Sequence, residues 1–328
     1  MSRVVLTILA LVVSANLLPA ADSPPPPLKL GIIGLDTSHV VAFTQLINRP
    51  NKGALENIRV VAAFPAGSPD LPISANRLAG FTKTLKEKHK VEIVDSIEEL
   101  LKKVDAVLLE SVDGRPHLEQ VRPVILAGKP VFIDKPVAAS LADTLAIYDL
   151  AKKHKVPCFS SSSLRFHGRL KELAGDPKVG KIVSCEATGT VDPLKGHPEL
   201  FFYGIHGIEM VFTVLGAGCE SVTWKDGVVT GTWKDGRIGI FRPAKGYKVV
   251  VKGDKGTAES GGGNYEGLVQ AIATFLRTGK APVAPEETIN LVAFMVAAEE
   301  SKKAGGKPVR IEAVMEQARK ELAARGSK

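Results

Sequence analysis

Short, largely apolar runs alternate along this chain with longer segments in which apolar residues return every three or four positions, the two rhythms of buried strands and amphipathic helices. The runs Leu30 to Leu35, Ile58 to Phe64, Val91 to Val94, Ala106 to Glu110, Pro130 to Ile133 and Val156 to Ser160 read as strands. Between them, His39 to Asn48, Leu78 to His89, Ser96 to Lys103, Pro116 to Ala127 and a segment opened by Ser140 read as helices. Asp95 or Ser96 can cap the third helix, with Glu98 and Glu99 set against the positive end of its dipole. Asp143, three residues after Ser140, completes a capping box. Strand–helix–strand repetition with right-handed crossovers predicts an α/β domain over 28–160, with a doubly wound, mostly parallel sheet.

After about Leu164 the rhythm changes. A helix around Arg169 to Leu173 leads to strands near Lys181 to Thr190, and the pentapeptide Thr-Trp-Lys-Asp-Gly occurs at 223–227 and again at 232–236. Asp-Gly between β-rich runs is a hairpin signal, so the repeat predicts two successive turns of an antiparallel meander. Lys248 to Lys252 continues the sheet. Tyr265 to Arg277 and Glu286 to Ala304 are helices, the second started by Pro285 and ended by Gly305-Gly306. Residues 161–328 are therefore expected to form an α+β domain on a mainly antiparallel, open sheet.

Composition narrows the function. With 328 residues and 45% hydrophobic content, two ordinary domains with real cores are expected. The net charge of +8 is scattered among acids, and only 5% of residues are aromatic, so no nucleic-acid surface is expected; the charge suits anionic small molecules. Cys158, Cys185 and Cys219 have neither zinc nor disulfide spacing and read as buried free thiols, and no metal site is expected. Arg3, the apolar run Val4 to Val13 and the small residues Ser14-Ala15 and Ala20-Ala21 have the layout of a secretory signal over 1–21, cleaved after Ala15 or Ala20. A proline-rich spacer, 22–27, follows. The expectation is an exported protein, periplasmic or extracellular, without a membrane span after cleavage.

Two stretches carry chemistry. Pro130 to Pro136, Pro-Val-Phe-Ile-Asp-Lys-Pro, is a buried strand ending on Asp134 and Lys135, at the sheet edge where open α/β folds place ligands. The first strand runs into Gly34-Leu35-Asp36-Thr37-Ser38-His39. A dinucleotide loop wants three glycines here: Gly34 supplies the first, Asp36 takes the second place and His39 the third. Thr37, Ser38 and the helix amino end can still hold an anion, while Asp36 either faces that ligand or caps the helix. The second strand ends Ala63-Phe64-Pro65 without the acid that would take ribose hydroxyls, and Asp70 is the nearest candidate. Ser160 to Ser163 stand at a strand end, where they meet a ligand or form a polar linker. Gly261-Gly262-Gly263 read as a flexible turn.

The order of elements and several spaced residues resemble the glucose–fructose oxidoreductase / inositol dehydrogenase / rhizopine catabolism (Gfo/Idh/MocA) family, from Leu28 to about Ile311. Asp134-Lys135-Pro136 is similar to its Glu-Lys-Pro signature, His117 to its histidine near the nicotinamide, Arg165-Phe166 to its Arg-Phe, and Gly204-Ile205-His206-Gly207-Ile208-Glu209 to its Gly-x-His-x-x-Asp helix. The resemblance implies a Rossmann-like domain, NAD or NADP as cofactor, a carbohydrate-like substrate oxidised or reduced at a hydroxyl or carbonyl, and a second domain, 161–328, for substrate binding and for oligomerisation as a homodimer or homotetramer. It implies catalytic roles for Lys135 and His206, cofactor contacts from Gly34, Leu35, Asp36, Thr37, Ser38, His39, His117, Asp134 and Lys135, and substrate contacts from Arg165, Tyr203 and His206. Phe202 stands where the family carries an aspartate, four residues before His206; Glu199 and Tyr203 lie nearby, out of register. These departures leave a second expectation, a redox-inactive carbohydrate-binding protein, or a lyase or isomerase, on the same fold.

Overall fold

The computed structural model describes residues 25–326. The signal-like segment and the spacer as far as Pro24 lie outside the described residues. The first unit runs β1 (Leu28–Ile33), α1 (His39–Asn48), β2 (Ile58–Phe64), α2 (Pro72–Glu87), β3 (Glu92–Ile93), α3 (Ile97–Leu101), β4 (Ala106–Leu109), α4 (His117–Leu126), β5 (Val131–Ile133), α5 (Leu141–His154) and β6 (Cys158–Ser160). Its strands form a parallel six-stranded sheet in the order β3-β2-β1-β4-β5-β6. The order reverses between β1 and β4, which opens a crevice at their carboxyl ends. Ser140 caps α5 by accepting from the Asp143 N–H at 3.0 Å, as the sequence predicts, and Ser96 rather than Asp95 caps α3. β1 stops two residues before the expected Leu35 because Gly34 turns to φ +88°. A Cβ there would stand 2.3 Å from the Ser111 nitrogen, so only glycine fits. α2 begins six residues earlier than expected, at Pro72, whose fixed φ starts a helix well even among polar residues.

The second unit contains α6 (Leu170–Leu173), β7 (Ile182–Gly189), α7 (Gly204–Leu215), β8 (Cys219–Lys225), β9 (Val228–Trp233), β10 (Ile238–Pro243), β11 (Lys248–Gly253), β12 (Thr257–Gly261), α8 (Glu266–Thr278), α9 (Pro285–Lys303), β13 (Val309–Arg310) and α10 (Ile311–Gly326). Its seven strands form one sheet, antiparallel except for the β7–β10 pair. Both predicted hairpins are present: Asp226 and Gly227 have φ of 51° and 76°, a left-handed pair that suits a tight turn, and Gly236 turns the next at 83°. Trp224 and Trp233 are buried, as the hairpin reading requires. α7 lies flat on this sheet, where a Cβ on Gly207 would stand 2.5 Å from the Phe241 ring.

The two units share their cores. After the second sheet the chain returns, and α8 buries Leu268, Ile272 and Phe275 against Leu30, Ile32, Phe43, Phe132 and Phe159 of the first unit. The tilted pair Phe132–Phe159 and the edge-on pair Phe159–Phe275 continue that seam. α10 also packs back, on α5 and α9. The three cysteines are free and buried. Among the described residues no helix is long and apolar enough to cross a membrane, and no group of three or more His, Cys, Asp or Glu side chains is placed to hold a metal.

Candidate functional site

The carboxyl edge of β5, the amino ends of α1 and α7, and the loops before β11 and α8 enclose a cavity of about 530 Å³. Thr37, Ser38, His39, Lys135, Tyr203 and His206 line it, so six of the anticipated site residues meet there. The sequence reading missed several other wall residues: Arg77 on α2, Tyr247, Asn264 and Tyr265. They come from three separate segments, Asn264 and Tyr265 from the same one before α8, and belong to no local motif. Ser163 also lines the wall, and Gly262 and Gly263, expected to be no more than a turn, form part of the rim.

Lys135 is buried, and its Nζ donates to the Phe202 carbonyl at 3.1 Å, with the Phe202 and Tyr203 rings 5.2 and 5.4 Å away. Burial pulls its ammonium below the usual lysine range, against the opposing charges of Asp134 and Glu209. His206 is buried, with Nδ1 2.6 Å from the Ser162 hydroxyl and the Tyr247 ring edge-on at 5.4 Å. Burial, then the positive charges of Lys135 and His39, push it well below the ordinary histidine value of 6.5. Burial thus biases both groups toward their neutral forms. Phe202, in place of the expected acid, contributes its carbonyl to Lys135, while Glu199 is taken by Lys302 at 2.5 Å.

The remaining anticipated residues stand behind the wall. The Asp36 carboxylate neither caps α1 nor faces the cavity: it is fully buried, accepting from the Ser74 hydroxyl at 2.6 Å and the Val112 N–H at 2.9 Å. Burial raises its pKa, partly offset by those two donors. Leu35 is buried, its N–H donating to the Ala66 carbonyl at 3.1 Å. His117 does not reach the cavity either: its ring nitrogens lie against the carbonyls of Ser111 (2.9 Å) and Val137 (3.2 Å), and burial lowers its pKa. Arg165 is likewise internal, ion-paired with Glu209 at 2.8 Å and Glu287 at 2.6 Å, because a guanidinium nine-tenths buried needs anions around it. Glu209 also accepts from the Ser161 hydroxyl and from the Ser162 N–H at 2.8 Å, so it fixes the loop after β6 and with it the Ser162–His206 bond. Asp134 lies just behind His39, whose Nδ1 is 2.5 Å from its carboxylate.

The site can be tested against a dinucleotide. The amino end of α1 has no side-chain cap from Ser38, and Thr37 and Ser38 at that end share the cavity wall with the exposed Arg77, a donor set that fits a pyrophosphate. Asp36 does not oppose it, since its carboxylate is turned away. At the adenosine side no acid ends β2, and Asp70 is held by Arg115 through two hydrogen bonds of 3.0 and 2.8 Å. The residues present fit the pyrophosphate and nicotinamide portions, with no carboxylate for the adenosine ribose.

Comparison with known proteins agrees with this architecture. Residues 31–162 match the family described as oxidoreductase family, NAD-binding Rossmann fold. The myo-inositol 2-dehydrogenase of Thermotoga maritima is 28% identical over 210 residues, covering 54% of this chain and 60% of its own length. The chain thus matches about three-fifths of that curated relative. A probable dehydrogenase from Thermotoga maritima has a TM-score of 0.72 at 22% identity, over 88% of this chain and 100% of that one. The scyllo-inositol dehydrogenase from Lactobacillus casei, solved with bound NAD(H) and scyllo-inositol, has a TM-score of 0.71 at 17% identity, over 88% and 100%. At these identities the structural likeness speaks for the fold. Through residues 31–162 the chain is distantly related to the Gfo/Idh/MocA oxidoreductases, and over most of its length it is similar to them in fold.

Proposed function

We propose that the protein is an exported NAD(P)-dependent oxidoreductase acting on a hydroxyl or carbonyl carbon of a polyhydroxylated compound, a sugar, sugar acid or inositol. The observation that carries this reading is the pairing of Lys135 with His206 on one cavity wall at the strand-end edge, both biased by burial toward neutrality. The volume suits a small ligand, and Ser38, Tyr203, Tyr247, Asn264 and Tyr265 supply hydroxyl and amide groups for its oxygens. Export rests on the N-terminal sequence pattern alone.

A nicotinamide dinucleotide, when bound, supplies the hydride acceptor or donor. Thr37, Ser38 and Arg77 would hold its phosphates. Lys135 keeps one of its donors on the Phe202 carbonyl and offers another to the substrate oxygen, fixing which carbon reacts. As the oxygen gains or loses its proton, the lysine stabilises the charge that develops there. His206, anchored through Nδ1 on Ser162, is the second partner of that oxygen. The rings of Phe202, Tyr203 and Tyr247 limit water around the reacting carbon.

One observation favours a second reading, a redox-free lyase, isomerase or sugar-binding protein: the adenosine side has no free carboxylate. The test separates the two. Denaturing the purified protein and assaying released nucleotide, together with calorimetric titration by NAD+ and NADP+, is expected to find dinucleotide retained or readily bound. Turnover of myo-inositol, scyllo-inositol or glucose should then follow. Absence of retained nucleotide and of binding heat would overturn the oxidoreductase reading in favour of the redox-free one.

A further inference from the structure

His39 stands where a dinucleotide loop has its third glycine, a place that ordinarily bears no side chain at all. Here an imidazole occupies it, and its surroundings are specific. Nδ1 lies 2.5 Å from Asp134 Oδ2, with the two side chains only 13% and 4% exposed. The ring stacks on Phe43 at 5.2 Å and 8°, and meets Tyr265 edge-on at 4.9 Å, so its plane is fixed. The ring lines the cavity, and among the described residues Nε2 has no hydrogen-bond partner.

The protonation of this pair follows from its partners. Burial works to raise the Asp134 carboxyl, but the charge and hydrogen bond of His39, then Lys135, outweigh it and hold the group below the usual range. The Lys135 N–H also donates to it at 2.8 Å. An ionised carboxylate only accepts hydrogen bonds, so the shared proton sits on Nδ1 and Nε2 presents a lone pair. This is the orienting arrangement that makes an imidazole paired with a buried aspartate an effective base.

We infer that His39 is a further catalytic residue, the general base that receives the proton of the substrate hydroxyl at Nε2, with Asp134 as its positioning residue. The assignment rests on the oxidoreductase reading for its reaction, and on geometry for its parts. Burial, and then the charge of Lys135, oppose the charged form of His206. His39 has an anion directly against it, which compensates the imidazolium as it forms. In the oxidative direction the substrate O–H bond breaks and the proton passes to Nε2. The oxygen's electron pair closes the carbonyl, and the adjacent C–H bond gives up its hydride to the nicotinamide acceptor. In the reductive direction the imidazolium returns the proton.

The titratable groups around the ring are Asp134 and Lys135 after β5, His206 on α7, Tyr203, Tyr265, and Glu110 behind Asp134. Burial, and then the charge of Asp134, raise the Glu110 pKa well above 4.5, which opposes a second anion beside the pair.

Two measurements test the inference. The first needs no turnover: nitrogen NMR of ring-labelled histidines in the wild-type protein is expected to find His39 protonated at Nδ1, with that bonded proton lost in Asp134→Asn. A ring protonated at Nε2, or one that Asp134→Asn leaves unaltered, overturns the inference whether or not a nicotinamide binds. The second is kinetic, with myo-inositol or scyllo-inositol and NAD+ or NADP+. His39→Gln should lower kcat by about 10²–10⁴-fold with dinucleotide affinity unchanged. Asp134→Asn, by releasing the ring, should lower kcat as well. A His39→Gln enzyme with the wild-type kcat, or one whose whole loss lies in dinucleotide affinity, overturns the role. Failure of the wild type on all these substrates tells instead against the oxidoreductase reading, and the NMR result still decides the pair.

Discussion

The carboxyl edge of the six-stranded sheet is finished differently at its two ends. Around β2 and the loop after β4, polar groups are bonded to one another. Asp36 takes Ser74 and Val112, Ser68 donates to Asp113 at 2.5 Å, Arg115 bridges Asp113 and Asp70, and the Gly114 N–H donates to His197 at 3.0 Å. Around β5, by contrast, Lys135, His39 and His206 each have a protein partner on one side and the cavity on the other. Buried polar groups that bond only within the chain hold loops together. Those left with an open bonding position at a cavity wall cost stability unless a ligand completes them, which marks the β5 end as the chemical one.

The largest expected effect would break this comparison at its chemical end. Lys135→Ala should lower turnover by about 10²–10⁴-fold, read as kcat with any accepted polyol, and full activity in that variant would remove the lysine from the reaction. Next comes Arg165, which resemblance places on the substrate and the structure places inside. Arg165→Met leaves Glu209 and Glu287 buried without their cation and should cost about 3–5 kcal/mol in urea unfolding. A raised KM with unaltered stability would instead restore its substrate role. At the satisfied end, Asp36→Ala strands the Ser74 hydroxyl and the Val112 N–H, at about 1–3 kcal/mol, measurable as a lower Tm. Dinucleotide affinity should stay the same, because the carboxylate points away from the phosphate position; tighter binding would mean that it opposes the phosphates after all.

Where sequence reading succeeded, the signal was local. α1 and β2 were legible to the residue because their apolar periodicity is complete, and the Asp-Gly turns carried their own backbone preference. α10 and β12 were not anticipated. α10 buries a narrow stripe of Ile311, Val314 and Ala318 in an otherwise charged helix, and β12 is an edge strand with no fully buried residue. The same division holds for the site. Lys135 and His206 sit in compact motifs and line the cavity. His117 and Arg165 sit in motifs too, but their partners, Val137, Glu209 and Glu287, are set by tertiary packing that spacing along the chain does not encode. Arg77, Tyr247 and Tyr265 converge from distant segments, and only the folded chain brings them to one wall.

The smallest predicted effect concerns the one carboxyl that fits neither pattern. Glu110, at the end of β4 between the two regions, is fully buried, and neither side-chain oxygen has a hydrogen-bond partner among the described residues. Burial, and then the charge of Asp134, raise its pKa well above the ordinary 4.5. The unfolded chain releases this proton near 4.5 while the native state still holds it, so rising pH favours unfolding. Its contribution to stability is complete below that value and is lost as pH climbs toward the raised native pKa. Glu110→Gln keeps the shape of the protonated acid and cannot titrate. Its unfolding free energy should therefore fall less steeply above pH 4.5 than the wild type's. Denaturant titrations across that range decide the matter. Parallel curves would mean that Glu110 ionises freely in the native protein, and a second anion behind Asp134 would then have to be added to the electrostatics of the His39 pair.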